Sequence, residues 1–158
     1  MEKRINPFKA SPQGYEAMSA LGRFVDNCGL ERSLLELVKM RASQINGCAY
    51  CLDMHSKDAR ALGETEQRLY LLSVWRESPF YSPRERAALE WTEAITLISR
   101  GGVADEVYQL ASQEFTPEEL ANLTLAAVTI NGWNRLSIAF QIVPGTYKSN
   151  LQPRKANA

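Results

Sequence analysis

The chain has 158 residues in which 18 Lys and Arg offset 18 Asp and Glu. Without a strong net charge or a basic block, neither nucleic acid nor an anionic membrane surface is an expected partner, and the substrate is expected to be small. No apolar run approaches the roughly 18 residues that span a bilayer, MEKRINPFKASP lacks a secretory signal's apolar segment, and three cysteines make no disulfide framework, so the expectation is one cytoplasmic domain.

Residues 1–10 read as an extended arm with an Asn6-Pro7 turn. Ser11-Pro12 then opens a first amphipathic helix, an N-cap followed by proline at the first helical position, with Tyr15, Met18, Leu21 and Val25 at helical spacing up to Cys28-Gly29. Cys28, without a partner, reads as a small buried hydrophobe. A second helix runs from Glu31 through Leu34, Leu37, Val38 and Met40 to Ile45, carries Glu36, and stops at Asn46-Gly47. The third carries Cys48, Cys51 and His55 and ends at Gly63, and a fourth spans 66–76 before the Ser78-Pro79 break.

Ser82-Pro83-Arg84-Glu85 combines a capping box with proline at the first helical position, and Ala88, Leu89, Trp91, Ile95, Leu97 and Ile98 follow up to Gly101-Gly102. After a short helix over 104–113, Thr116-Pro117-Glu118-Glu119 repeats the start signal. The helix it opens, through Ala126, Ile130, Trp133, Leu136 and Phe140, is apolar on more than one side and ends at Pro144-Gly145, which marks it as central or as a subunit contact. The tail, 152–158, reads as loose. Period-two alternation is absent, so the expected fold is an all-α single domain of six or seven helices.

The chemistry concentrates between Glu36 and His55. Cys48, Cys51 and His55, the only histidine, are spaced i, i+3 and i+7 and share one helical stripe. Asn46-Gly47 places the thiols near a helix N-terminus, where unpaired N–H groups favour a thiolate and lower a cysteine pKa. His55 can move a proton, and Glu36 can orient it where the two helices pack side by side. The same four residues also form a possible tetrahedral zinc set. Met40 and Met54 read as packing near the site.

The pattern Glu, eleven residues, Cys-x-x-Cys, three residues, His resembles the signature of the alkylhydroperoxidase D (AhpD-like) proteins within the carboxymuconolactone decarboxylase superfamily. The run from Asn131 through Trp133, Asn134 and Arg135 is similar to a Trp-Asn-Arg segment of many members. The resemblance implies an all-helical fold assembling into trimers or hexamers, and a thiol-dependent hydroperoxide reductase or disulfide oxidoreductase. Cys51 is then the thiol activated through His55 and Glu36, and Cys48 its disulfide partner. Helix-dipole reasoning instead favours Cys48, nearer the helix start and taken as the more exposed. Where well-characterised members have a histidine before the second cysteine, this chain has Tyr50, a hydrogen-bond donor and a poor base at neutral pH.

No nucleotide-cofactor motif such as Gly-x-Gly-x-x-Gly is present, so no cofactor is expected, and the electrons would come from an external dithiol, a lipoyl or thioredoxin-like partner. Lactone decarboxylation ranks behind this, because no basic cluster near the motif offers to hold carboxylates and the cysteines have no role in it. Trp133 reads as core or interface and Arg135 as a structural ion pair or interface hydrogen bond, and none of Trp133, Asn134 and Arg135 reads as catalytic.

Overall fold

The helix starts with the strongest sequence signals carry the fullest capping chemistry. In the computed structural model, which describes residues 4–152, Ser82 Oγ accepts the Glu85 N–H at 3.2 Å and the Glu85 carboxylate accepts the Ser82 N–H at 2.8 Å. Thr116 and Glu119 repeat the exchange at 3.3 and 2.8 Å. Each box satisfies orphan N–H groups of a first turn, and the prolines occupy a position where no N–H is missed.

Eight α-helices result among the described residues: α1 (Pro7–Ala10), α2 (Pro12–Asp26), α3 (Arg32–Asn46), α4 (Ala49–Ala61), α5 (Glu66–Leu71), α6 (Pro83–Thr96), α7 (Asp105–Glu114) and α8 (Pro117–Ala139). No strand occurs among the described residues. The all-α fold class is as expected, with one helix more than the pattern suggested. The additional one is α1, a single turn in the arm that was expected to be extended. Asn6 creates it by accepting the Phe8 and Lys9 N–H groups at 3.0 and 3.2 Å. The fourth predicted helix is shorter than its pattern, since the chain tightens into a 3₁₀ turn at Leu72–Val74; another, Ile98–Arg100, follows α6. Residues 1–3 of the arm and 153–158 of the tail lie outside the described residues.

The chain packs around α3. Leu34, Leu35, Leu37 and Val38 are all buried, so this helix has core on more than one side. Leu34, Leu35 and Val38 meet Ala88 and Trp91 of α6 and Leu123 and Ala126 of α8. Leu37 and Met40 meet Ala59 of α4, Leu72, Trp75 and Leu89. Each fully buried leucine stabilises the fold by about 1.5–3 kcal/mol. Cys28 is half-buried against the first of these clusters. α8 carries buried residues over most of its length but leaves Val128 and Ile138 exposed. Among the described residues Arg135 makes no ion pair: its guanidinium turns back one turn of α8 to Asn131, donating to the carbonyl and to Oδ1, both at 2.9 Å.

Candidate active site

One glycine sets the position of the cysteines. Gly47 adopts φ +69°, a left-handed conformation that an added Cβ disfavours. Its N–H reaches the Gln44 carbonyl at 3.3 Å and the Cys48 N–H reaches that of Ser43 at 3.0 Å, the paired bonds of a Schellman stop. The chain reverses here, so Cys48 ends one helix and caps the next, its Sγ accepting the Cys51 N–H at 3.4 Å. α4 then runs back along α3.

That packing brings His55 to Glu36, whose Oε2 accepts from Nδ1 at 2.7 Å. The other oxygen, Oε1, accepts from Lys39 Nζ at 3.0 Å, and Lys39 also pairs with Asp26 at 2.8 Å. Burial alone would raise the Glu36 pKa, but the hydrogen bonds and charges of His55 and Lys39 outweigh it and bring the carboxyl from 4.5 to about 2. Burial likewise opposes the Lys39 charge, and Glu36 and Asp26 reverse this and raise its pKa. Glu36 is therefore a carboxylate at neutral pH and only accepts hydrogen bonds. The proton between the two residues sits on Nδ1, which leaves His55 Nε2 as the nitrogen available for proton exchange.

Cys51, His55 and Glu36 line one cavity of about 360 Å³. Its wall includes Val25, Met54, Ile130 and Trp133, and Trp133 meets Phe8 and Tyr15 edge-on with ring centroids 6.2 and 5.7 Å away. Tyr50 lines it too, with its phenol pKa raised first by burial. Met40 instead lies in the core against Leu37 and Leu72.

Two expectations about the thiols change. Cys48 is not the exposed member: both cysteines are 1 % exposed, and Cys51 borders the cavity while Cys48 lies behind it with Ala42 and Ile130. Nor does the helix start lower the Cys51 pKa. Burial, followed by a hydrogen bond with Cys48, pushes that thiol up to about 12, against the smaller downward effects of hydrogen bonds with Asn134 and Ser137. Ser137 Oγ lies 3.8 Å from Cys51 Sγ.

Asn134, fully buried, anchors this side of the site. It donates to Ser43 Oγ at 3.0 Å and accepts from Asn46 Nδ2 at 2.8 Å, tying the end of α3 to α8 directly behind the thiols. The tetrahedral zinc set that the sequence offered as an alternative is not assembled: the atoms that converge within 4.8 Å belong to Glu36, His55 and Asp58, and neither sulfur joins them. Glu36 is moreover already held by an ammonium. Two cations, Lys39 and Arg32, reach the cavity, where the sequence suggested no basic cluster to hold carboxylates. Lys39 is shared between two carboxylates, however, and Arg32 donates to the Asp26 carbonyl at 3.1 Å.

Sequence reasoning passed over Lys39, Asp58 and Tyr147, all of which line the cavity. The first two carried a signal, since Lys39 is i+3 from Glu36 and Asp58 is i+3 from His55. Tyr147 carried none, because only the tertiary path of the segment after α8 brings it there.

The Carboxymuconolactone decarboxylase family matches residues 12–94. An uncharacterised Bacillus subtilis protein, YdfG, is 45 % identical over 139 residues, spanning 88 % of this chain and 95 % of its own. Among solved structures, an Agrobacterium tumefaciens protein of unknown function, provisionally assigned as an AhpD antioxidant defence protein, superposes with a TM-score of 0.89 at 43 % identity, over 92 % of this chain and all of its own. The debrominase Bmp8 shares the fold with a TM-score of 0.76 at 20 % identity, over 88 % of this chain and 75 % of its own. No helix among the described residues is long and apolar enough to cross a membrane.

Proposed function

Because the chain belongs to the carboxymuconolactone decarboxylase family and has an AhpD-like fold, we propose that it is a thiol-dependent alkyl hydroperoxide reductase working through Cys51 and Cys48. The observation that carries this reading is the 2.7 Å contact of Glu36 with His55 beside a cavity onto which Cys51 opens.

The His55 Nε2 lone pair takes the Cys51 proton, with Glu36 stabilising the imidazolium that forms. The thiolate attacks the terminal oxygen of R–O–O–H and the O–O bond breaks. The leaving alkoxide takes the proton back from His55 as alcohol, and Cys51 becomes a sulfenic acid. The Cys48 thiol then attacks Cys51 Sγ, water leaves, and a Cys48–Cys51 disulfide remains. An external dithiol, lipoyl or thioredoxin-like, returns two electrons and two protons. A thiol with a pKa near 12 is unreactive until a base acts on it, but its thiolate is the stronger nucleophile. That matches a site which places its base in the same cavity.

Cytoplasmic residence belongs to the same reading, since turnover needs a supply of dithiols. So does self-association into a trimer or hexamer, for which the exposed Val128 and Ile138 of α8 offer an apolar surface. Light scattering that finds a monomer at micromolar concentration removes that part.

The deciding experiment is thiol titration against cumene hydroperoxide. Wild type should lose two thiols per peroxide reduced. Cys51→Ser should be inert, His55→Ala slowed, and Cys48→Ser should stop after one turnover at a sulfenic acid that dimedone traps. Equal slow consumption by all four proteins would end the proposal.

A further inference from the structure

After α8 the chain leaves helical geometry and crosses α4 as a strap, held by three residues of that one helix. Asp53 Oδ2 accepts the Gly145 N–H at 3.0 Å, Lys57 Nζ donates to the Tyr147 carbonyl at 3.1 Å, and the Asp58 carboxylate accepts the Tyr147 hydroxyl at 2.9 and 3.0 Å. Gly145, at φ +106°, provides the turn that starts the crossing. The strap delivers Tyr147 and Leu151 to the cavity wall beside Cys51 and His55.

The tyrosine does not merely fill space. Asp58 is buried, and its carboxylate has the Tyr147 hydroxyl as its hydrogen-bond donor among the described side chains. An aspartate is a costly partner for a ring needed only for packing, because phenylalanine would close the wall without a buried charge. Burial, then Asp58, then the nearby Glu36 keep the phenol protonated, its pKa raised. With that proton committed to Asp58, the oxygen lone pairs remain as a fixed acceptor in a cavity whose other polar wall groups include the His55 base and the Cys51 thiol.

We propose that the Tyr147 hydroxyl, oriented by Asp58, is the group that accepts the O–H of a bound hydroperoxide in the Cys51 cavity. This rests on the peroxidase reading above. The terminal oxygen of R–O–O–H is the atom that sulfur attacks, and it carries the hydrogen that such an acceptor holds. The arrangement selects substrates with a free O–OH end and disfavours dialkyl peroxides, which have no hydrogen to give. Asp58 is the positioning residue of the pair, and Tyr147 the one that touches substrate.

The test is steady-state reduction of cumene hydroperoxide with dithiothreitol as the recycling dithiol, using wild type, Cys51→Ser, Tyr147→Phe, Asp58→Ala and Asp58→Asn. Tyr147→Phe and Asp58→Ala should raise KM about 3- to 10-fold, the worth of one neutral hydrogen bond, with Cys51 alkylation by iodoacetamide unchanged. Asp58→Asn, whose amide oxygen still accepts the phenol proton, should stay within about twofold of wild type. Dicumyl peroxide should be turned over no faster by wild type than by Tyr147→Phe. Wild-type KM in Tyr147→Phe, while Cys51→Ser is inactive, overturns the proposal and leaves the peroxidase reading standing. Cys51→Ser as active as wild type removes both. If Tyr147→Phe does not fold, the two Asp58 variants decide: a KM gap between them supports the proposal, and equal values overturn it.

Discussion

Replacing Glu36 with Gln tests whether charge, and not shape, joins α3 to α4. The amide is isosteric and can still accept from His55 Nδ1, now at 2.7 Å from the carboxylate, but it brings no charge to Lys39 or to an imidazolium. A carboxyl whose pKa falls from 4.5 to about 2 on folding gains about 3 kcal/mol of stability at pH 7, each pKa unit being worth about 1.4 kcal/mol. Because the folded pKa is the lower one, this gain is complete above about pH 5 and is lost as pH falls through 4.5 towards 2. At pH 3 roughly half of it is left. Urea unfolding at fixed protein concentration should therefore find Glu36→Gln less stable by about 3 kcal/mol at pH 7, with the gap roughly halved at pH 3. Other carboxylates titrate over the same range, but they do so in both proteins and drop out of the difference. A gap of the same size at both pH values refutes the argument and assigns the loss to packing.

Three further outcomes follow from the site. Because burial, the largest influence on its thiol, remains when Cys48 is replaced, Cys51 in a Cys28→Ser, Cys48→Ser background should be alkylated by iodoacetamide at a rate that still climbs with pH above 8; a plateau below pH 8 contradicts the effect of burial. Gly47→Ala meets no neighbouring atom but forces an alanine into a left-handed turn, at about 1–2 kcal/mol. Calorimetry should show a fall of about 2–8 °C, and no change means the turn relaxes. Asn134→Ala strips a donor from Ser43 and an acceptor from Asn46, so a loss of about 1–3 kcal/mol is expected in chemical unfolding. An unchanged midpoint would mean that water takes over both bonds.

The local grammar of the chain was open to reading from its letters. Ser82, Thr116 and the Asn46-Gly47 stop each act through bonds spanning a few residues, so their geometry is implicit in spacing. The register of Cys51 with His55 has the same origin. What escaped is what depends on partners far along the chain. Burial by Ile130 and the α8 face turned the Cys51 pKa upward, against the helix-end effect, and nothing within α4 announces α8. Tyr147 reaches Asp58 across 89 residues, beyond any periodicity. That the Asn6-Pro7 turn opens a helix escaped for the opposite reason, α1 being only four residues long with no apolar pattern to mark it.

The depth at which both sulfurs lie restricts what can renew them. With each cysteine 1 % exposed and Cys48 screened by its neighbour, a bridged pair offers no edge against which a broad folded surface could dock. On the proposed peroxidase reading, a reductant must reach Cys51 through the cavity whose lining includes Phe8, Tyr15 and Trp133, which suits a dithiol carried on a slender, swinging tether better than one set in the face of a globular domain.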